Sequence, residues 1–529
     1  MAPTSDTADV LLDGRSLTLE AVERLALDPG VVVGVAPSAR DAIREARDVV
    51  EARVQSGERV YGVTTGFGRL ADVVIPPEQR RELQRNLIRS HAAGVGDPLD
   101  RAAVRACMVL RANALARGNS GCRLEVVERL VTLLNEGIHP RVPRYGSVGA
   151  SGDLAPLAHI ALAVLGEGPA ECDGREDDVG VFLGEHGLEG LTLEAKEGLA
   201  LINGTQVTTG LGILALLAAE RAVDTAEVAG AMSLEALLGT PEAFRAEIQE
   251  ARPHPGQAES ARRLRALLED SQIRESHRND DPRVQDAYAL RCMPQVHGAA
   301  REALRYVRGV LETEANSATD NPLVFAGSGL VVSGGNFHAQ VVSAALDFLA
   351  IAMADLASIS ERRIERLLNP DLSMGLPAFL TDSPGLRSGF MIAQVSAVDC
   401  LAEMRVLAHP ASVDSVTTSA NQEDHVSMGL AAARKARQSV ALAERVLAAE
   451  LLCAAEGLEY RRPLRSSPWV EAAFGVVRED VPRLQDDRVL APDLEAVAHG
   501  VRSDRFAALA RGAVAGGPVP PSPPPETLP

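Results

Sequence analysis

The sequence is poor in aromatic residues and in positive charge. Phe, Trp and Tyr make up 3% of the 529 residues, and Trp469 is the only tryptophan. A core short of aromatic rings must be built from Leu, Ala and Val, which favours packed helices over a sheet sandwich. Asp and Glu outnumber Lys and Arg by 72 to 53, a net charge of -19. Because basic clusters are also lacking, we expect neither nucleic acid nor a membrane as a partner.

Patterns typical of disulfides, metal sites and export are also missing. The six cysteines are scattered without a Cys-x-x-Cys pair, which is typical of reduced core residues and predicts a cytoplasmic protein. The eleven histidines show no His-Glu-x-x-His or comparable spacing, so no metal site is expected. The N-terminus does not have the shape of a signal peptide.

Long apolar-periodic helices joined by short connectors fill the chain from Gln295 to about residue 455. No repeat of fixed period is found, and no heptad run is long enough for a plain coiled coil. The pattern predicts a mainly α protein with a bundle of long, roughly antiparallel helices. We expect a small mixed N-terminal domain over residues 1–200, the bundle and C-terminal helices over 201–515, and a disordered Pro-rich tail over 516–529.

Two helices before the bundle are predicted from local signals. Ser38 is expected to cap a helix that runs to Val54. A second helix is expected from Leu191 to about residue 239, with a polar patch at Asn203-Gly204-Thr205 inside its apolar run. The charge-free part of this run is long enough to cross a bilayer, but its polar patch favours a buried helix. Such a patch must be hydrogen-bonded within the core or to a ligand.

Two other segments combine polar side chains with turn-forming sequence. Tyr61-Gly62-Val63-Thr64-Thr65-Gly66-Phe67-Gly68 is either a surface loop with a buried tyrosine or a closing lid that presents a hydroxyl group. Gln285, Tyr288 and Arg291 recur at every third position. A helical turn would place all three on one face, which is either a solvated surface or part of a site.

A glycine-rich stretch from Gly146 to Pro156 leads into an apolar helix, which Asp153 is placed to cap. Such a stretch is often a tight turn or an anion-binding nest, but it matches neither of the Gly-rich phosphate-binding motifs. A chemical alternative lies in Ala150-Ser151-Gly152. If the backbone is bent, the amide nitrogen of Gly152 can attack the carbonyl of Ala150, and loss of two waters then leaves a methylidene-imidazolone (MIO) electrophile.

The stretch from Gly146 to Pro156 resembles the signature of the histidine and aromatic amino-acid ammonia-lyase family, whose prosthetic group is MIO. The resemblance covers roughly residues 20 to 500 and implies the ammonia-lyase (fumarase/aspartase-like) fold. It implies a MIO formed from Ala150, Ser151 and Gly152 without an external cofactor. It also implies a homotetramer in which each active site draws on three subunits. Further matching segments, in chain order, are the Tyr61 loop, Ser90-His91, Asn203-Gly204-Thr205, Gln285 to Gln295, Ser333 to His338, Glu361-Arg362-Arg363 and Asn421 to Gly429.

The resemblance also implies roles for individual residues. The amine of the substrate adds to the MIO, and Tyr61 takes the β-proton, which a phenol does well only where neighbouring donors or positive charge stabilise its ionised form. Arg291 clamps the substrate carboxylate with its planar guanidinium fork. The remaining matches are the polar groups around the MIO and the amine, and an aromatic ring packed against the MIO. These are Asn203, Gln285, Tyr288 and Phe337.

The expected substrate is L-histidine, with trans-urocanate and ammonia as products, as in histidine breakdown. His91 and Glu423 resemble the family members that use histidine, and an imidazole with a carboxylate can hydrogen-bond both nitrogens of a substrate imidazole. Thr64 and the pair Gln340-Val341 depart from the histidine-lyase pattern. A tyrosine or phenylalanine ammonia-lyase, or an aminomutase that moves the amine to the β-carbon, therefore stays open. A helical scaffold without activity would predict damage at Ser151, Tyr61 or Arg291, and all three are intact.

Overall fold

The computed structural model describes residues 8–279 and 281–519. Helices dominate these residues, which confirms the mainly α prediction, and the longest four have 31, 23, 29 and 31 residues. The helices are α1 (Leu19–Leu27), α2 (Pro37–Ser56), α3 (Arg80–His91), α4 (Arg101–Ala116), α5 (Leu124–Asn135), α6 (Leu154–Leu165), α7 (Val179–Glu185), α8 (Glu197–Ile202), α9 (Gln206–Ala236), α10 (Ala246–Glu250), α11 (Pro255–Leu267), α12 (Gln272–Ser276), α13 (Tyr288–Arg291), α14 (Met293–Ala315), α15 (Gln340–Leu368), α16 (Met391–Leu407), α17 (Gly429–Glu459), α18 (Pro468–Asp480), α19 (Ala491–Arg502) and α20 (Arg505–Ala515).

The described strands are short and form small sheets. The pair β1–β2 is parallel, with Val10 opposite Val33, and the other pairings are antiparallel: β3 with β5, β6 with both β4 and β7, and β8 with β9. Each pairing links two short segments of the chain, and the buried core is formed by helices. The strands are β1 (Val10–Leu12), β2 (Val33–Val35), β3 (Val95–Pro98), β4 (His139–Pro140), β5 (Pro143–Tyr145), β6 (Pro169–Cys172), β7 (Arg175–Asp178), β8 (Leu323–Phe325) and β9 (Leu330–Val332).

The chain divides into two compact units. The first contains the chain up to Leu217 together with Val307–Asp347 and Pro410–Arg434. The second contains Ala218–Tyr306, Phe348–His409 and the chain from Lys435 onward. The predicted domain boundaries at residues 200 and 515 stay predictions, and residues 520–529 of the predicted tail lie outside the described residues.

Helix α2 begins one residue before the predicted cap. Pro37 occupies its first turn and Ala36 is the N-cap, without a side-chain hydrogen bond, so Ser38 lies inside the helix. The prediction that Ser38 caps this helix was therefore wrong. Pro37 has no N–H to satisfy, and its fixed φ suits the first helical position, which is why the helix begins there.

The helix predicted from Leu191 to about residue 239 is broken. Asn203, Gly204 and Thr205 separate α8 from α9, and Asn203 has an extended backbone (φ -90°, ψ 101°). The guanidinium of Arg111, from α4, donates to the carbonyl oxygens of Asn203 (3.1 Å) and Ala200. These are carbonyls that the end of α8 leaves unsatisfied, so Arg111 terminates this helix from outside. The polar patch is thus a turn between two buried helices.

Two described helices, α9 and α15, are long and apolar enough to cross a bilayer by length and composition alone. The most apolar window of α9 is 83% buried within the protein, as a core helix requires. The corresponding window of α15 is 56% buried, so part of that helix presents an uncovered apolar surface.

Candidate active site around the Ala150–Gly152 turn

The Ala150-Ser151-Gly152 segment is a tight turn. Ser151 and Gly152 have φ of +52° and +82°, a left-handed pair that is costly for the serine. The amide of Gly152 donates to the carbonyl of Gly149 at 3.4 Å, which closes the turn. A β-carbon at position 152 would lie 2.2 Å from the carbonyl oxygen of Gly204. Only glycine fits there, so the turn suits a MIO formed from these three residues.

Asp153 fastens this turn to the start of α9. Its buried carboxylate accepts hydrogen bonds from the amide (2.7 Å) and hydroxyl (2.9 Å) of Thr208, and from the hydroxyl of Ser147 (3.0 Å). Burial raises the pKa of Asp153, and these hydrogen bonds oppose the rise. Asp153 is the N-cap residue of α6, as predicted, but its side chain makes no capping hydrogen bond there. The carboxylate of Asp153 accepts a hydrogen bond from the Thr208 N–H, which lies in the first turn of α9 and has no partner within that helix.

The loop that carries Tyr61 is anchored on the core of the first unit. Val63 is buried in a cluster with Ala46 and Val50 of α2. The hydroxyl of Thr64 accepts from the amide of Val60 (2.9 Å) and donates to the carbonyl of Glu58 (2.8 Å). Thr64, which departs from the histidine-lyase pattern, therefore acts within the loop.

The phenol of Tyr61 is half-buried, and its oxygen accepts a hydrogen bond from the amide of Gly68 at 3.2 Å. This hydrogen bond holds the phenol oxygen beside the backbone of Gly68. A β-carbon at Gly68 would lie 3.0 Å from the hydroxyl of Ser419. The Tyr61 loop thus contacts the loop that carries Glu423.

Glu423 lies directly against the Ala150–Gly152 turn. One carboxylate oxygen accepts from the hydroxyl of Ser151 at 3.2 Å, and the other from the hydroxyl of Thr418 at 2.8 Å. Residues 419–421, which lie between Thr418 and Glu423, have a left-handed backbone at all three positions, with φ of +50°, +53° and +64°. Three such non-glycine residues in a row are strained, and the strained bend turns Glu423 back toward Thr418.

His91 ends α3 and is electrostatically coupled to Glu423. Its Nδ1 lies 2.9 Å from the carbonyl of Leu87. Because a carbonyl can only accept, Nδ1 carries the proton and Nε2 is left as an acceptor. Burial lowers the pKa of His91, while the Leu87 carbonyl and the Glu423 carboxylate oppose that shift. The ring is therefore neutral near pH 7 and can accept a hydrogen bond.

Asn203 presents an unsatisfied acceptor beside this turn. Its Nδ2 donates to the carbonyl of Asn321 (3.0 Å) and to the Asp320 carboxylate (3.4 Å). Its buried Oδ1 has no hydrogen-bond partner in the described part of the chain. A buried acceptor without a partner costs free energy unless a ligand completes it.

Phe337 is half-buried in the connector before α15. The next residue, His338, stacks on His425 with ring centroids 5.8 Å apart and planes 6° apart. Its Nε2 also lies 3.2 Å from the carbonyl of His425. This stack attaches the Phe337 connector to the loop of Glu423.

The remaining predicted site residues belong to the second unit. Gln285 lies in a bend before the four-residue helix α13, so the prediction that one helical turn aligns it with Tyr288 and Arg291 was wrong. Ala287 is extended (φ -65°, ψ 158°), which interrupts the helical geometry. Tyr288 is 71% exposed, and the guanidinium carbon of Arg291 lies 4.6 Å from the centre of its ring. Among the described residues no carboxylate pairs with Arg291, which leaves it available for an external anion.

A sequence model of the family described as aromatic amino acid lyase matches residues 17–479 of this chain. The chain belongs to the aromatic amino acid lyase family. It is 53% identical to a histidine ammonia-lyase of Anaeromyxobacter dehalogenans (strain 2CP-C) over 92% of this chain and 97% of that protein. The family assignment confirms the resemblance predicted from the Gly146–Pro156 stretch.

Solved structures of this lyase family share the fold. The crystal structure of a histidine ammonia-lyase from Trypanosoma cruzi is similar with a TM-score of 0.89 and 46% identity, covering 95% of each chain. A tyrosine aminomutase from Streptomyces globisporus is similar with a TM-score of 0.90 and 40% identity, covering 94% of this chain and 98% of that one. The predicted ammonia-lyase fold is therefore confirmed.

Sequence reasoning missed three residues that hold the candidate site in place. Thr418 binds Glu423, Arg111 ends α8, and Lys196 forms an ion pair with Asp320 beside Asn203. A signal existed for Thr418, because it begins the polar stretch Thr418-Ser419-Ala420-Asn421-Gln422-Glu423 in the sequence. Arg111 lies within an apolar helix, where the sequence gives no sign of its role. Its side chain is completely buried in the structure, and a buried arginine must donate to buried acceptors.

Proposed function

We propose that this member of the aromatic amino acid lyase family eliminates ammonia from L-histidine and gives trans-urocanate. The observation that carries the proposal is the grouping of His91, Glu423 and Ser151. Glu423 accepts from Ser151 and influences the ionisation of His91. A carboxylate and a neutral imidazole match the two nitrogens of a substrate imidazole, whereas a phenyl ring offers neither group a hydrogen-bond partner. The histidine ammonia-lyase of Anaeromyxobacter dehalogenans supports the same substrate.

The proposed cofactor is a MIO formed from Ala150, Ser151 and Gly152. The left-handed turn and the close contact of Gly152 with Gly204 support it. When formed, the group supplies an electrophilic alkene that makes the substrate amine a better leaving group. The chain's own side chains must then bind the substrate, hold its amine and carboxylate, and remove a proton from its β-carbon.

Tyr61 is the proposed base for the β-proton. The hydrogen bond that its oxygen accepts from Gly68 supports this role. Arg291 is proposed to bind the substrate carboxylate, since its guanidinium has no carboxylate partner among the described residues and suits a planar anion. Gln285, Tyr288 and Asn203 are proposed to surround the amine, and Phe337 to pack against the MIO.

We propose further that the protein works in the cytoplasm as a homotetramer whose sites are shared between subunits. Support comes from apolar side chains that one chain leaves exposed on α16, namely Ile392, Val395, Val398 and Val406. The high exposure of Tyr288 also indicates that another subunit covers this part of the proposed site.

The expected result in sedimentation is an active tetramer at working concentration. Ile392→Glu with Val395→Glu places two charges on the α16 face, and we expect dissociation with loss of activity. Glu substitutions at Leu27 and Val489, which are exposed and belong to neither α16 nor the proposed site, control for added charge. An active wild-type monomer would contradict the shared-site proposal.

The function is tested by ultraviolet absorbance with purified protein and L-histidine, L-tyrosine and L-phenylalanine in parallel. Product regiochemistry is checked by NMR. We expect urocanate from histidine alone. Coumarate or cinnamate would reassign the substrate, and a β-amino acid would indicate an aminomutase.

Glu423→Gln is expected to lower kcat/KM for L-histidine roughly 10- to 150-fold, because a hydrogen bond to a charged acceptor is worth ~1.5–3 kcal/mol. Asp424→Asn removes a charge from the adjacent exposed residue and should change kcat/KM little. Intact mass must show that both variants have lost two waters, because Glu423 also contacts Ser151. A fully mature Glu423→Gln protein with unchanged activity toward histidine would exclude Glu423 from substrate binding.

A further inference from the structure

A buried ion pair lies behind Asn203, in the first unit. The Nζ of Lys196 is 2.6 Å from Oδ2 of Asp320, and the two side chains are 0% and 2% exposed. The other oxygen of Asp320, Oδ1, accepts from the amide of Asn321 at 2.6 Å and from Nδ2 of Asn203 at 3.4 Å. Lys196 thus orients the carboxylate, and the carboxylate in turn faces the amide of Asn203.

Stability does not explain a lysine at this position. Removing two charges from water costs more than their attraction returns unless the geometry is excellent. Lys196 also has φ of +77° at the N-cap of α8, a conformation that non-glycine residues rarely adopt. A positive charge at the N-terminus of a helix opposes the helix dipole. Three unfavourable features at one residue indicate a role beyond folding.

The ion pair and the neighbouring backbone carbonyl of Asn321 together orient the side-chain amide of Asn203. Its Nδ2 is directed at two acceptors, Oδ1 of Asp320 and the carbonyl of Asn321. The opposite orientation would place Oδ1 of Asn203 against these oxygens, which is repulsive. The carbonyl oxygen of the amide is therefore presented away from the pair, buried and without a partner among the described residues. The following residue, Gly204, contacts the Ala150–Gly152 turn through Gly152.

We infer that Lys196 and Asp320 are positioning residues that hold Asn203 with its side-chain oxygen as an acceptor for the amino group of the substrate. This inference rests on the proposed amino-acid substrate. A protonated amino group can only donate hydrogen bonds, so a carboxamide oxygen is a suitable partner for it. A rigid acceptor also avoids the entropy cost of ordering a free side chain on binding.

The test uses binding without turnover, in the full-length Ser151→Ala background. The probes are L-histidine and 3-(imidazol-4-yl)propionate, which has the same ring and carboxylate but no amino group. The variant is Lys196→Met with Asp320→Leu, because replacing both partners of a buried pair by apolar groups preserves stability better than removing one. We expect its Kd for L-histidine to rise roughly tenfold or more, as for loss of one hydrogen bond to a charged group, while the Kd for imidazolylpropionate stays unchanged.

A double-mutant cycle separates positioning from a general structural effect. Asn203→Ala should weaken L-histidine binding as much as the pair replacement does, and combining the two should add nothing further. Arg40→Met with Glu128→Leu removes another ion pair of the first unit, between α2 and α5, and should leave both Kd values unchanged. If the Lys196–Asp320 replacement does not fold, Asp320→Asn is judged by the same criteria.

Three results would overturn the inference: an unchanged Kd for L-histidine, an equal loss for both probes, or effects that add to those of Asn203→Ala. If the Ser151→Ala protein with an intact Lys196–Asp320 pair binds neither probe, the proposed substrate itself is wrong. The failure of the positioning role and the failure of the proposed function are thereby distinguished.

Discussion

Ser151→Ala protein is expected to keep the mass of its encoded chain, whereas the wild-type protein is expected to be lighter by two waters. The variant lacks the hydroxyl that must leave to create the alkene, so no electrophile can form. We expect ammonia release from L-histidine to fall by at least about 10³-fold, as when a covalent catalyst is removed. Intact-mass spectrometry and an ammonia assay on the same preparation measure the two effects together.

The control for this experiment is Ser328→Ala, which removes a hydroxyl from an exposed turn and should leave mass loss and activity as in the wild type. Thermal melting should be similar for wild type and Ser151→Ala, because the mature wild type is also expected to have lost the Ser151 hydroxyl and its hydrogen bond to Glu423. Ser328→Ala should melt with them. Wild-type protein that keeps its full encoded mass and still releases ammonia from L-histidine would refute the MIO proposal. A fully active Ser151→Ala protein would refute it as well.

The second large effect is expected from Tyr61→Phe. The variant keeps the ring that fills the loop and loses the oxygen that receives the hydrogen bond from Gly68. If this oxygen takes the β-proton, kcat for L-histidine should fall about 10²- to 10⁴-fold, the usual contribution of a general base. Steady-state kinetics on protein whose mature mass has been verified measure this change.

Substrate deuterated at the β-carbon makes the assignment of Tyr61 specific. Loss of the base slows proton removal, so we expect the isotope effect on kcat to be larger in Tyr61→Phe than in the wild type. Tyr306→Phe is the matched control, because this tyrosine is exposed and packs through its ring against Phe348. A mature Tyr61→Phe protein with wild-type kcat would assign the base to another residue.

Structural features that depend on residues close together in the sequence could be predicted without the structure. The apolar spacing predicts helices at about residues 102 to 117 and 123 to 136. Helices α4 and α5 begin and end within one residue of these positions. The Ala150–Gly152 turn was likewise predictable, since its three residues supply both the conformational freedom and the groups proposed to react. The chemistry proposed for this protein therefore follows largely from one local stretch.

What the sequence could not determine is how distant residues complete that stretch. Glu423 meets Ser151 across a separation of 272 residues, and Arg111 of α4 decides where α8 ends. Asp153 was predicted to cap the helix that follows it, but its carboxylate binds Thr208, at the start of a different helix. The periodicity of apolar residues indicates which side of a segment is buried. It does not indicate which distant acceptor a buried donor will meet, because tertiary packing decides that. The sequence by itself determined the turn proposed to form the MIO and the helical class of the fold, and the tertiary structure decided which side chains surround that turn.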